Sequence, residues 1–167
     1  ALALNAIAVA DAAAFNGGSD TVDVLITSND DYPGAEIVLS YDKTALSTAE
    51  ANVIMNEAAW NSSWGEPTVV VDTAAGTIKV GVTSLTDVTA RIPQSSSALK
   101  LFSVIFEVDS SATVGSYTIT PSGFFVTVDD NYNFDELTVT TLTSGTLVVQ
   151  SLYNMSVDSV STGPGVL

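Results

Sequence analysis

The chain has 167 residues, 46% of them apolar, which is enough for one domain with a sizeable core. Four basic residues, Lys43, Lys79, Arg91 and Lys100, stand against 19 acidic ones for a net charge of −15, a balance that repels phosphate backbones and anionic lipid and sets nucleic-acid and membrane-surface roles aside while inviting divalent cations. With no Cys and no His, a disulfide framework, a Cys-ligated zinc site and the commonest general base are all excluded.

Charged residues make up only 14% of the chain. Thr, Ser, Val and Ala fill the space, which favours strands with hydroxyl-bearing outer faces over helices laced with Glu and Lys. No segment is apolar and long enough to span a membrane as a helix. The sequence opens at Ala1 without an initiator Met, the start expected of a secreted product after removal of a signal peptide.

In chain order, Leu4 to Val9 alternates weakly and reads as a strand. Ala10 to Gly18 runs through small residues into the turn signal Asn16-Gly17-Gly18 and is expected to be a loop. Thr21 to Thr27 puts Val22, Val24 and Ile26 on one face, the pattern of a half-buried strand. After the turn residues Asn29 to Gly34, a third strand is predicted from Ala35 to Tyr41. Asp42 to Asn56 loses the period of two and is expected to form a helical turn or an irregular crossover. Trp60 to Pro67, with both tryptophans, reads as a loop. Thr68 to Val71 and Thr77 to Val82 flank Asp72 to Gly76 and predict a hairpin.

Val88 to Ala98, with Pro93 and three serines, is expected to be a polar connection into Lys100 to Val108. There Phe102, Val104, Phe106 and Val108 recur at a period of two, so this strand is the predicted centre of the core. Strands are further predicted at Ser116 to Thr120, Gly123 to Val128, Glu136 to Thr141 and Gly145 to Gln150, separated by turn signals such as Pro121-Ser122-Gly123. About nine short strands at roughly ten-residue spacing describe an all-β, antiparallel β-sandwich. No helix long enough to cross over a parallel sheet is predicted, which removes the α/β classes.

Three segments carry a family resemblance. They are Gly34-Ala35-Glu36-Ile37-Val38-Leu39-Ser40-Tyr41-Asp42 with Leu46 following, Gly76-Thr77-Ile78-Lys79-Val80, and Leu101-Phe102-Ser103-Val104-Ile105-Phe106-Glu107-Val108 with Gly115 beyond. In order and spacing, over about residues 4–149, the chain resembles the cohesins, sandwich modules of bacterial cellulosome scaffolds and of other bacterial and archaeal surface proteins. The resemblance implies a nine-stranded jelly roll that works by protein–protein contact, without a catalytic centre, and a dockerin-type protein as partner on one sheet face.

The chain then overruns that module. Residues 1–150 are assigned to the sandwich and 151–167 to a C-terminal extension, in which Tyr153, Met155 and Val157 alternate with Asn154, Ser156 and Asp158 and so form a strand-like tail. The extension is either a linker to a neighbour or a strand, added to its own sheet or donated to another copy. Residues 1–9 are a second candidate donor. The leading expectation is a secreted structural protein that assembles with copies of itself into a filament or sheath; the alternatives are a cohesin module that binds a dockerin-bearing partner in a cell-surface scaffold and, third, a carbohydrate-binding module.

Other residues suggest chemistry of their own. Asp129, Asn131, Asn133 and Asp135 place oxygen-bearing side chains at alternate positions of one turn, the start of a calcium loop, although a central Gly and a distal bidentate Glu are lacking. The alternative is an ordinary acidic turn. Asp30 and Asp31 are a second, weaker cation candidate. Trp60 and Trp64, with Asn61 between them, suggest either a sugar platform or, more commonly for such a pair, a local hydrophobic plug or interface anchor. Asn61-Ser62-Ser63 and Asn154-Met155-Ser156 match the N-glycosylation acceptor pattern. Six glutamates, Glu36, Glu50, Glu57, Glu66, Glu107 and Glu136, are scattered, and with no His, Cys or nucleophile motif an enzyme is not expected.

Overall fold

The structure, a computed structural model, describes residues 4–61, 65–84 and 91–152. The stretch predicted to centre the core does so: Phe102, Val104 and Phe106 are fully buried and Val108 nearly so. Burying such side chains contributes about 1.5–3 kcal/mol each before chain entropy is set against it. They belong to β9 (Ser95–Val108), which lies beside β3 (Ser19–Ser28) with Val22 opposite Val104 and Val24 opposite Phe102.

The described residues form thirteen strands. Besides β3 and β9 these are β1 (Ala6–Val9), β2 (Ala12–Phe15), β4 (Gly34–Ser40), β5 (Leu46–Ser47), β6 (Val53–Met55), β7 (Thr68–Asp72), β8 (Thr77–Thr83), β10 (Gly115–Val128), β11 (Phe134–Thr138), β12 (Thr141–Thr143) and β13 (Gly145–Gln150). One sheet has the order β12-β1-β3-β9-β5, with β6 also on β9. The other runs β2-β13-β10-β4-β8-β7, with β11 also on β10. Inward residues of both sheets, among them Ile7, Val24, Ile37, Ile78, Phe125 and Leu147, make one continuous core.

A bulge widens that core. Val24 pairs with Phe102 but Leu25 with Lys100, so Leu101 is an extra residue in β9 and is buried alongside Phe102. Asn56 caps the bulge, donating its backbone N–H to Leu101 O (2.9 Å) and its side-chain amide to Lys100 O (2.6 Å). The irregular stretch before it is a turn at Asp42, the two-residue β5, a 3-10 turn at Glu50–Asn52 and β6.

Two predicted breaks are absent. Ser95 to Ala98 is part of β9, and β10 runs unbroken through Pro121. Gly123 O accepts the N–H of Val139, so the amide edge that Gly123 and Pro121 share faces away from β4. On that edge β13 stops at Ile119 and β11 starts at Phe124, so the N–H that Pro121 lacks has no strand waiting for it.

Within the antiparallel sandwich, two pairings at the seam are parallel. β12 lies parallel to β1, and β2, expected to be loop, lies parallel to β13. The reason is that both end segments serve both sheets. The chain leaves β1 for β2 on the opposite sheet, and residues 134–150 follow β10 except for an excursion through β12 to β1. Where the sheets meet, only Gly fits: a Cβ at Gly123 would stand 2.3 Å from Glu36 O and 3.1 Å from Ile7 Cδ1, and one at Gly145 2.5 Å from Ala10 O.

The sandwich has two distinct ends. At one, Tyr32 stacks on Phe125 (centroids 4.8 Å apart), accepts a hydrogen bond from Asn5 and donates one to Asn29. The start of β1, the 129–133 turn and β11 lie at this end, since Ala6 pairs with Thr27 and Phe134 with Val128. At the other, Tyr41 meets Phe106 edge-on (5.2 Å) and Gln150 pairs with Phe15.

Candidate functional site

The turn between β10 and β11 is built on Asp129. Its Oδ1 accepts the backbone N–H groups of Asn131 (2.8 Å) and Asn133 (2.9 Å), and its Oδ2 the side-chain amide of Asn133 (2.9 Å). Those bonds, that of the Asn133 side chain foremost, hold its carboxyl below the ordinary Asp value. Tyr132 takes a positive φ of 61° within the turn, and Asp135 points its Oδ1 to the N–H of Glu136. Asp129 is thus a turn-closing acceptor, and Asn133 offers it an N–H, the opposite of what a cation needs. Among the described residues, no three Asp or Glu converge as metal ligands. Asp30 and Asp31 are likewise used locally, accepting the N–H groups of Asp31 and Gln94.

Trp60 is only 1% exposed. The turn hinged on Asn56, whose carbonyl accepts the N–H of both Ala59 and Trp60, folds the ring inward as a core plug. Of the two readings given for this residue, its burial is that of a hydrophobic plug, with no open face for a sugar. Asn61 beside it is half-buried. Trp64 and the tail residues Tyr153, Asn154, Met155 and Val157 lie outside the described residues. Of the alternative donor, residues 1–9, the described part is placed within its own sandwich: β1 sits between β3 and β12.

Two surfaces remain that sequence reasoning missed. The first is the edge at β11. This strand is exposed at all five residues and, among the described residues, pairs only with β10. Leu137 stands opposite Phe125, which is fully buried, so it points to the core side of its sheet, yet it is 41% exposed. Leu142 of β12, opposite the buried Ile7, is in the same position and also 41% exposed. On the other side of β11, Phe134 joins Phe124, Val126 and Thr83 around a groove of about 430 Å³. Period-two alternation cannot find such residues, because burial here depends on whether the facing layer extends far enough.

The second is the outer face of the larger sheet. Register aligns Ser122, Val38, Lys79 and Val70 in one row and Phe124, Glu36, Gly81 and Thr68 in the next. Lys79 and Glu36 pair across the rows at 3.5 Å, and Val70 is 47% exposed on the edge strand. Among the described residues the face mixes apolar side chains with one ion pair.

A two-sheet sandwich seamed by parallel end strands is a cohesin-like fold. Among solved structures, the seventh ScaB type I cohesin from Pseudobacteroides cellulosolvens aligns with a TM-score of 0.72 at 16% identity, over 92% of this chain and 96% of that one. A type I cohesin from a cohesin–dockerin complex of Clostridium thermocellum aligns at 0.68 and 18% identity, over 88% and 99%. A non-cellulosomal cohesin from the hyperthermophilic archaeon Archaeoglobus fulgidus aligns at 0.64 and 22%, over 89% and 93%. No protein-family model and no curated protein matches the sequence.

Proposed function

We propose that the chain is a secreted, non-catalytic subunit whose copies join head to tail into an extracellular filament or sheath, the C-terminal segment of one docking on the sandwich of the next. The observation that supports this most directly is the placement of the ends. Gln150, from which the C-terminal segment departs, pairs with Phe15 at one end of the sandwich, whereas the β11 edge that no other described strand pairs lies at the other. A donor and an acceptor at opposite ends make a heterologous contact, which propagates from copy to copy and gives an open chain when its rotation does not close a ring. Electron microscopy of the full chain at neutral pH is the test. Regular fibres are expected, and dispersed monomers would overturn the proposal.

Calcium is a separable part of it. A cation at 129–135 would have to take Asp129 away from its N–H donors and turn the Asn133 amide oxygen toward the ion. It would offset repulsion between copies that each carry a charge of −15. Fibres that survive a chelator unchanged would remove calcium from the account.

A second reading, a receptor for a dockerin-bearing partner at a cell surface, is favoured by the apolar side chains Val38, Val70 and Phe124 on the outer face and by cohesins of the same fold that are seen with dockerins. Its signature is a one-to-one complex with a dockerin, weakened by Val70→Asp.

A further inference from the structure

Resting on the self-assembly reading, we infer that the acceptor is the edge of β11 that no described strand pairs, and that it receives residues 153–157 from a second copy as an added strand. Three observations carry this. The first is the unfilled core edge. Leu137 and Leu142 face the core side of their sheets and are each 41% exposed. A strand laid against β11 places a side chain beside Leu137 on that side, and the single apolar row Tyr153, Met155, Val157 supplies it.

The second is charge. The edge carries Asp135 and Glu136 and adjoins Asp129 and Asp130, in a chain with few cations. An acidic segment would be repelled there. Residues 151–157, S-L-Y-N-M-S-V, carry no charge at all.

The third is reach, which decides that the donor is another copy. Val149 pairs with Gly115, and Leu137 with Phe125. Ten residues of β10 separate the two points, about 33 Å at about 3.3 Å per residue. Met155, six residues beyond Val149, extends at most about 22 Å. Met155 therefore cannot stand beside Leu137 of its own copy.

The hydrogen-bonding edge is also defined. Val139 donates its N–H to Gly123 O, and Asn133 O accepts the N–H of Asp129, so odd-numbered residues between them face β10. The N–H and C=O groups of Phe134, Glu136 and Thr138 therefore point to the open side. Glu136→Pro removes a donor from that side, one that Asp135 Oδ1 accepts within the strand until an added strand takes it over, and breaks no bond to β10. It also deletes an acidic charge, so electrostatics alone would favour its assembly.

The test compares assembly of the full-length wild type, Glu136→Ala and Glu136→Pro by light scattering and electron microscopy, with circular dichroism confirming folded sandwiches. Glu136→Pro is expected to raise the critical concentration about tenfold or more, the loss of one or two edge hydrogen bonds, while Glu136→Ala assembles. Independently, the full chain carrying Leu137→Cys and Met155→Cys is expected to give a ladder of disulfide-linked multimers on oxidation. Wild-type fibres together with normal assembly of Glu136→Pro and no ladder would overturn the β11 acceptor while leaving self-assembly standing. A wild type that never assembles would overturn both.

Discussion

Replacing Trp60 with Ala separates a structural from a sugar-binding tryptophan. The ring is 1% exposed and packed in the core, and truncating a buried aromatic costs about 3–5 kcal/mol. Area gives a similar size, since an aromatic side chain buries about 150–250 Å², worth about 4–6 kcal/mol at 25 cal/mol per Å². For a chain of this length each kcal/mol lowers Tm by about 2–4 °C, so a fall of about 6–20 °C is expected. Thermal melts by circular dichroism, with urea titration for the free energy, measure it. Trp60→Phe should recover most of the loss. A Trp60→Ala protein melting within about 2 °C of the wild type, but with lost retention on a polysaccharide, would refute the core assignment.

The seam gives a second expectation: Gly123→Ala forces a Cβ to 2.3 Å from Glu36 O, and a loss of about 1–3 kcal/mol or more should appear in urea denaturation. The Lys79–Glu36 pair is about half-exposed on its Lys side, so Lys79→Gln should change stability by less than about 1 kcal/mol. Acid should loosen three turns together. Asp42, Asp109 and Asp129 are held below the ordinary value of 3.8, first by side-chain hydrogen bonds from Thr44, Ser111 and Asn133 and then by the backbone N–H groups of the same residues. A depressed folded pKa means the stabilisation is complete above the unfolded value and is lost as pH falls through the folded one. The amides of Thr44, Ser111 and Asn133 should therefore stay equally protected down to about pH 4 and open below it. Loss of protection already near neutrality would contradict this.

Much of the sandwich is legible in the sequence because burial and alternation coincide. Val22, Val24 and Ile26 fill the inner row of β3, and Phe102, Val104 and Phe106 that of β9. The failures have a common cause in partners that local pattern does not record. Ala12 to Phe15 is too small and irregular to read as a strand, and becomes one because β13 offers it a parallel edge. Pro121-Ser122-Gly123 looks like a turn and is a strand, because Pro121 faces a gap between strands and Gly123 admits Ile7. The Trp60 ring is buried by an Asn56 turn that answers a bulge some forty residues downstream. At the candidate interface, Leu137 alternates correctly and is still exposed, since exposure there reports the extent of the opposite layer.

The parallel seams also decide how the sandwich meets tension. Leu4 lies at one end and Gln150 at the other, and β2 runs alongside β13 in the same direction over four residue pairs, Leu147–Gln150 against Ala12–Phe15. Pulling the two ends of the chain apart draws these strands past one another lengthwise, so their hydrogen bonds are loaded simultaneously and not peeled one after another. The Thr146 N–H and hydroxyl, both bonded to the Asp11 carboxylate, lie next to the same clasp. A subunit gripped at opposite ends, as in a strung chain, would thus carry force through its most resistant direction.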